Sequence, residues 1–243
     1  MKYNKKFYDE VSQSSLNSAK AIAPYIIKKF NPNSLVDFGC GDGSWLKPFL
    51  DRNIDITGIE GDWIKNTNTK IPLENYILSN FEKKNIKIEG KFDFVLCLEV
   101  LEHLNEEIGL YLIKKMTSIS DLILFSAAIP GQGGTNHINE RWQSHWINLF
   151  KSYSYFPDLN IRYHFWNDSR VASYYRQNII LFRKNKSENN ISNIYDVVHP
   201  EFYLLKNYDN IGIKRFVSSF FGLLNKSLNK SLKLKKEIKY DKS

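Results

Sequence analysis

Ser34-Leu-Val-Asp-Phe-Gly39-Cys-Gly41-Asp-Gly43 is the stretch of this sequence that decides the fold. It begins as a short apolar strand and ends in a cluster of glycines, and residues 44–50 then have the pattern of a helix. Glycines in such a turn let a ligand approach the backbone and its exposed amide donors. The order of strand, glycine loop and helix is typical of a doubly wound sheet, which binds ligands where its first strand ends.

The segments on either side continue the alternation of helix and strand. Residues 14–30 carry apolar side chains at helical spacing, and Asn31-Pro32 ends that helix. Strands are predicted at 54–59, 76–79, 92–98 and 122–127, helices at 105–119 and 141–150, and late strands at 161–165 and 178–182. This alternation predicts an α/β fold with a doubly wound, mostly parallel sheet, preceded by a helix and followed by a helical, basic extension.

The length of 243 residues fits one large domain with a modest appendage. We predict a helical lead over residues 1–33, a ligand-binding domain over 34–183 and an extension over 184–243. The net charge is +8, but residues 226–243 hold seven lysines against two acids. Because the body of the chain is nearly neutral, a nucleic-acid partner is not indicated.

No apolar run is long enough to span a bilayer, and the first ten residues lack the apolar core of a secretory signal. We therefore expect a cytoplasmic protein, with Cys40 and Cys97 as free thiols. Residues 216–224 form an amphipathic segment before the lysines, which favours either peripheral membrane contact or a helix that covers the protein's own core. The sequence leaves the oligomeric state open.

Glu60 supplies the second half of a nucleotide site. It ends the second predicted strand, where a carboxylate accepts hydrogen bonds from the two hydroxyls of a ribose. Ser44 stands where the dinucleotide pattern G-x-G-x-x-G requires its last glycine, so the pattern here is D-x-G-x-G-x-G. The loop and the acid together indicate an adenosine-bearing ligand other than a dinucleotide. The alternative is a tight turn with three glycines and an unrelated surface acid.

At these positions the sequence resembles the class I S-adenosylmethionine-dependent methyltransferases. Phe92-Asp-Phe-Val-Leu-Cys-Leu-Glu99-Val-Leu-Glu102-His103-Leu is similar to the fourth-strand motif of a branch that includes small-molecule and quinone-precursor O-methyltransferases. Ser126-Ala-Ala-Ile-Pro-Gly131-Gln-Gly-Gly-Thr-Asn-His137-Ile-Asn-Glu-Arg-Trp142 resembles the segment after strand five in bacterial members, several of them associated with surface-glycan loci. The resemblance covers residues 14–183, and none of its motifs names an acceptor.

The resemblance implies S-adenosyl-L-methionine as the cofactor and S-adenosyl-L-homocysteine as the product. The cofactor-binding residues that it implies are Asp37, Gly39, Cys40 and Gly41 at the methionine end, Glu60 and Gly61 at the ribose, Asn80 and Phe81 at the adenine, and Leu98 and Glu99 at the sulfonium. Many relatives have Asp where Asn80 stands, but an amide oxygen also accepts a hydrogen bond from the adenine amino group. Trp63 is left open between an adenine contact and a core position.

Two histidines are the catalytic candidates, because an acceptor hydroxyl loses its proton around the transition state and neutral imidazole suits that task near pH 7. We predict His103, which follows strand four, as the base, and His137, in the loop after strand five, as a substrate contact. Each could instead have a structural role. His137, Glu140 and His145 lie close in sequence but lack metal-ligand spacing, so we predict no metal.

The predicted function is methylation of an oxygen on a small polar acceptor: a sugar, a glycan precursor or a phosphoryl-type modification in surface polysaccharide biosynthesis. One alternative is a nucleic-acid methyltransferase, for which the cations and aromatics of residues 162–176 would form a platform. Those residues are otherwise closing strands and pocket wall. Another alternative is a scaffold that binds cofactor or docks on a membrane without turnover.

Overall fold

The computed structural model describes residues 5–185 and 195–204, with side chains from residue 12 onward. The chain divides into two compact units, residues 1–199 and 200–243, and of the second only the short helical stretch 200–204 is described. The predicted helix at 216–224 and the lysine tail lie outside the described residues, so their membrane contact stays a prediction, as does the cytoplasmic location. Within the described part, no helix is both long and apolar enough to cross a membrane.

A seven-stranded sheet organises the first unit. Its strands are β1 (Ser34–Phe38), β2 (Asp55–Glu60), β3 (Tyr76–Leu78), β4 (Phe94–Leu98), β5 (Leu122–Ser126), β6 (Tyr155–Asp158) and β7 (Ile180–Lys184). They lie in the order β3-β2-β1-β4-β5-β7-β6, with β1 to β5 parallel and β7 antiparallel to both of its neighbours. This confirms the predicted doubly wound, mostly parallel sheet. The strand order reverses at β1, which is where ligands bind in such sheets.

Helices cover both faces of the sheet. They are α1 (Lys5–Phe30), α2 (Lys47–Leu50), α3 (Glu106–Ile119), α4 (Gln143–Lys151), α5 (Asn160–Phe165) and α6 (Ser173–Asn178). The buried side chains of α1 join a core with Phe94, Leu96 and Leu98 of β4, whereas α3 and α4 share a second core with Val95 and Cys97 of the same strand. Strand β4 is apolar throughout because its side chains alternate between two buried faces. The predicted domain boundaries stay predictions.

Two local predictions are wrong. Residues 161–165 belong to helix α5 and not to a strand, because Ile161 and Phe165 stand one helical turn apart and are both buried on one side of it. The strand in this part of the chain is β6, which precedes α5. It contains Pro157 and is an edge strand, where a residue without an N–H is tolerated. The second predicted helix is also shorter than residues 44–50, since the glycine turn continues to residue 46. Cys40 and Cys97 are free and buried, as expected.

Candidate functional site

A cavity of about 480 Å³ opens at the carboxyl ends of β1, β2 and β4. This volume suits a ligand of cofactor size. The predicted site residues that line the cavity are Asp37, Gly39, Cys40, Gly41, Glu60, Asn80, Phe81, Leu98, Glu99, His103 and His137. Gly61 lies beside the cavity and does not line it, because the Trp63 ring stands within 2.0 Å of the position that a Cβ of residue 61 would take. Trp63 itself lines the cavity, and its role at the adenine stays open.

The glycine loop after β1 has a backbone that only glycine adopts easily. Gly39, Gly41 and Gly43 have φ angles of 76°, 54° and 83°. A Cβ on Gly39 would stand 2.6 Å from Val100, and a Cβ on Gly43 would stand 2.6 Å from Ile71. The glycines therefore serve both the turn and the close packing of the loop against its neighbours.

Glu60 ties this loop to the end of β2. Its Oε2 accepts a hydrogen bond of 2.8 Å from the Gly41 amide, and its Oε1 accepts one of 2.9 Å from the Gly61 amide. Burial raises the pKa of Glu60, and the two amides oppose that shift. Each carboxylate oxygen accepts more than one hydrogen bond, so lone pairs remain for the hydroxyls of a ribose.

Asp37 is the second buried acid at this end of the cavity. Burial, and next the charge of Glu60, raise the pKa of Asp37 to about 8. A buried carboxylate of this kind favours a ligand with a positive charge, such as the amino group of a methionine moiety. Asn80 is less committed to the ligand, because its Oδ1 already accepts a hydrogen bond of 2.9 Å from the Glu82 amide. The adenine roles of Asn80 and Phe81 stay predictions.

Glu99 follows directly after β4 and lies at the opposite end of the cavity from the glycine loop. It has a left-handed backbone with φ of 54°. Its Oε2 accepts a hydrogen bond of 2.9 Å from Gln132 Nε2, and its Oε1 accepts one of 3.1 Å from Asn178 Nδ2. The sequence analysis missed both partners, because they are amides that lie 33 and 79 residues away along the chain.

The two predicted catalytic histidines meet. The rings of His103 and His137 lie edge to face with centroids 4.7 Å apart. Burial, and next the neighbouring His137, lower the pKa of His103 to about 4. The His103 imidazole is therefore neutral at pH 7, but with this pKa it is also a weak proton acceptor. Its role as the base stays a prediction.

Glu140 proves to be the partner of His137. His137 Nδ1 lies 2.9 Å from Glu140 Oε1, and Glu140 also accepts hydrogen bonds from the amides of Gly131 and Gly133. Burial alone would raise the pKa of Glu140, but these three hydrogen bonds lower it. Sequence spacing had grouped Glu140 and His137 with His145, which instead stacks edge to face on Trp146 in α4.

Glu102 is fully buried beside the two imidazoles. Within the described residues, neither of its carboxylate oxygens has a hydrogen-bond partner. Its backbone carbonyl accepts hydrogen bonds of 2.9 and 3.0 Å from the amides of Ile138 and Asn139, which fix the loop after β5 against the turn at residues 101–103. One ligand atom each of Glu102, His103 and His137 lies within 4.8 Å of the others. Sequence analysis recognised Glu102 only as the neighbour of His103.

Comparison with known proteins places this site in a known fold. Residues 14–121 match a family described as a methyltransferase domain. A search among curated proteins found no match.

Several solved structures share the architecture at low sequence identity. The sugar N-methyltransferase KedS8 from Streptoalloteichus sp ATCC 53650 has a TM-score of 0.57 at 11% identity, with 76% of this chain and 94% of that chain covered. Magnesium protoporphyrin IX methyltransferase from Synechocystis PCC 6803, with bound S-adenosylmethionine, has a TM-score of 0.53 at 15% identity, with 76% and 86% covered. A candidate O-methyltransferase from Nostoc punctiforme PCC 73102 has a TM-score of 0.55 at 12% identity, with 74% and 59% covered.

At these identities the structural likeness shows the fold alone, and the present chain spans 59% of the length of the Nostoc protein. The family match covers residues 14–121, and the cavity holds the glycine loop and the buried acids that end β1 and β2. Over residues 14–121 the chain therefore matches a methyltransferase domain, on the fold that these solved methyltransferases share.

Proposed function

We propose that this protein transfers the methyl group of S-adenosyl-L-methionine to an oxygen atom of a small, uncharged, polar acceptor, such as a sugar or a glycan precursor of a surface polysaccharide. The observation that carries the proposal is that one cavity joins the cofactor loop to a polar end with two imidazoles and two carboxyl groups. Such an end offers hydrogen-bond donors and acceptors to a hydroxylated molecule.

The chain's own residues fit the cofactor in a definite orientation. Glu60 would bind the ribose hydroxyls, and Asp37 with the glycine loop would bind the methionine end. Trp63 and Phe81 would cover the adenine. In this orientation Leu98 and Glu99 would lie beside the sulfonium, on the side of the cavity that also holds the histidines.

The bound cofactor supplies a methyl group on a sulfonium, and its transfer to the acceptor oxygen leaves S-adenosylhomocysteine. Displacement of this kind needs little covalent help, so positioning and exclusion of water account for much of the rate. Glu99 is held by hydrogen bonds from Gln132 and Asn178, and the loop after β5 is hydrogen-bonded to the Glu102 carbonyl. The polar groups that the acceptor would contact are therefore fixed in position. We assign His103 and His137 to the acceptor side of the reaction.

The lack of cationic side chains among the described residues that line the cavity favours an uncharged acceptor over a phosphorylated one. The described residues that line it include six acids, namely Asp37, Asp42, Glu60, Glu82, Glu99 and Glu102, and none of those residues is a lysine or arginine. Phosphate groups are normally bound by cations or by clusters of amides. This charge distribution supports a sugar over the phosphoryl-type or nucleic-acid acceptors that the sequence left open.

Calorimetric titration of the purified full chain tests the cofactor assignment first. We expect micromolar binding of S-adenosylhomocysteine and none of NAD, and preferential binding of NAD would overturn the assignment.

Purified protein is then incubated with methyl-labelled S-adenosylmethionine and three acceptor sets: neutral glycosides, sugar phosphates and short RNAs. We expect label in the neutral glycosides. Label only in RNA or in sugar phosphates would overturn the acceptor class, and cofactor binding without turnover on extracts would favour the scaffold alternative.

A further inference from the structure

The transfer end of the cavity gathers side chains that bind metals. Glu102 and His103 end the turn after β4, His137 comes from the loop after β5, and one ligand atom of each lies within 4.8 Å of the others. One carboxylate and two imidazoles form a ligand set suited to divalent transition metals. We propose that Glu102, His103 and His137 bind a divalent cation, and that this cation holds the acceptor.

Glu102 provides the first argument. Its side chain is fully buried, and among the described residues neither oxygen is hydrogen-bonded. A buried carboxylate without a partner is costly, and proteins normally compensate one with a cation or with donors. The carboxyl group of Glu99 lies beside Glu102 and adds to the negative charge there. His103 and His137 lie within ligand distance, and imidazole nitrogens are metal ligands in their neutral form. A bound cation would balance the charge that this carboxylate brings into the interior.

His137 provides the second, independent argument. Its Nδ1 is occupied by Glu140 at 2.9 Å, which fixes the ring and directs Nε2 away from that bond. A carboxylate behind a histidine is the usual support of a metal-binding imidazole. Glu140 is in turn held by the amides of Gly131 and Gly133.

Gly134 packs closely against the same imidazole. A Cβ on this residue would stand 2.4 Å from Nε2 of His137, so a side chain there would collide with the ring in its present position. Gly134 and His137 both line the cavity. Glu99 is not counted as a ligand, because its oxygens are not among the ligand atoms that lie within 4.8 Å of one another.

Three protein ligands leave coordination positions for water and for the acceptor. Two neighbouring hydroxyls of one molecule fill adjacent positions, so the acceptor class is a vicinal diol, an inference that rests on the proposed function. A hydroxyl on a cation loses its proton more readily. That proton goes to solvent, the oxygen forms its bond to the methyl carbon, and the electron pair of the broken carbon–sulfur bond goes to sulfur. His103 and His137 then act as ligands, and His103 takes no proton.

Manganese binding tests the site without any acceptor. The full chain is treated with EDTA, dialysed and titrated with MnCl₂, with calorimetry and electron paramagnetic resonance as readouts. We expect one Mn²⁺ per chain, at least a tenfold weaker affinity in Glu102→Gln and His137→Ala, and a weakening of about tenfold in Glu140→Gln. His145→Ala is the matched control, since it removes a nearby histidine outside the cluster, and it should bind Mn²⁺ like the wild type. Circular dichroism and binding of S-adenosylhomocysteine show that each variant is folded.

The outcomes separate this proposal from the proposed function. Absence of stoichiometric Mn²⁺ binding, or equal affinity in the wild type and in Glu102→Gln, overturns the metal site while S-adenosylhomocysteine binding leaves the methyltransferase intact. Equal turnover before and after EDTA treatment overturns the role of the cation and restores His103 as the candidate base. A preference for a glycoside with a vicinal diol over its monodeoxy analogue, lost after EDTA treatment, supports the acceptor class. An equal rate with both glycosides overturns it.

Discussion

The two ends of the cavity are built in different ways. At the cofactor end, the loop amide of Gly41 binds Glu60, only 19 residues away, and both acceptor oxygens of Glu60 are hydrogen-bonded to backbone. At the transfer end, Glu99 is held by side chains 33 and 79 residues away, and Glu102 is buried with no hydrogen-bond partner among the described residues. The cofactor end thus relies on backbone amides, whereas the transfer end relies on side chains from distant segments.

This difference teaches which part of the site is general and which is specific. A loop that binds through backbone amides and glycines depends little on the side chains around it. A cluster assembled from several loops changes whenever one loop changes. Variants should therefore separate the two ends: changes at the first should abolish cofactor binding, and changes at the second should spare it.

Gly39→Ala should have the largest effect. A Cβ there would stand 2.6 Å from Val100 and would strain a backbone with φ of 76°. We expect affinity for S-adenosylhomocysteine to fall by about two orders of magnitude or more, which is about 3 kcal/mol. Calorimetry measures it.

Gly90→Ala is the matched control for that variant. Its φ of 83° imposes the same kind of strain, but its Cβ would meet nothing within 4 Å. It should lose only about 1 kcal/mol of folding free energy and keep its cofactor affinity. Equal loss of binding in both variants would mean that strain, and not the close packing of the loop, controls the site.

Glu60→Ala should weaken S-adenosylhomocysteine binding by about 10- to 100-fold, because hydrogen bonds to a charged group contribute about 1.5–3 kcal/mol. The exposed Glu74→Ala variant, which removes an acid outside the cavity, should bind normally. Full affinity of Glu60→Ala for S-adenosylhomocysteine would show that Glu60 does not bind the ribose.

His137→Ala should separate the two ends. We expect S-adenosylhomocysteine affinity to change by less than about threefold, while turnover on a responsive glycoside falls by about 100-fold or more. His145→Ala should keep both properties. If His137→Ala lost cofactor binding as well, the two ends would form a single cooperative unit, and the comparison would fail.

Asn178→Ala should cost about 1–3 kcal/mol of stability, because it leaves Glu99 Oε1 without its donor at 3.1 Å and disturbs the amide network around Gln132. Asn178→Asp keeps the shape but places a second acid beside Glu99, so we expect it to be at least as destabilising near pH 7. Urea denaturation gives both values. An effect below 0.5 kcal/mol in both variants would show that Glu99 does not need this partner.

Arg170→Ala should have the smallest effect. Its hydrogen bonds to Asp168 lower the pKa of that carboxyl to about 2, so the pair stabilises the fold above the ordinary pKa of 3.8 and loses that contribution as the pH falls toward 2. Because the pair is on the surface, where solvent screens ion pairs, we expect only a small loss of stability at pH 7 and none near pH 2. Urea denaturation at both pH values measures the difference.

The sequence predicted the parts of the molecule that depend on neighbouring residues. The glycine turn, the continuous apolar run of β4 and the start of α3 at Asn105, whose side chain accepts a hydrogen bond from the Ile108 amide, are all encoded within a few positions. Residues 161–165 were wrongly predicted because five residues do not distinguish a buried helical turn from a strand. The edge strand β6 was not predicted because it contains Pro157, a residue that is unusual in strands.

The transfer end could be predicted only in part. His103 and His137 were recognised as chemical groups, but their meeting depends on the loop after β5 binding the Glu102 carbonyl through Ile138 and Asn139. Gln132 and Asn178 gave no signal, because amides are common on surfaces and only the fold buries this pair against Glu99.

The direction of β7 has a practical consequence for anyone who handles this protein. Strand β7 is antiparallel to β5, so it begins near the carboxyl ends of the parallel strands. Asn178, just before β7, therefore lies on the ligand side of the sheet, where it contacts Glu99. The amino-terminal ends of the parallel strands carry the turns that lead into β2, β4 and β5. None of the described cavity residues comes from these turns. A fluorophore or surface tether at residue 90 would be separated from the cavity by the length of β4, so the molecule can be labelled or immobilised there while its ligands enter from the other side.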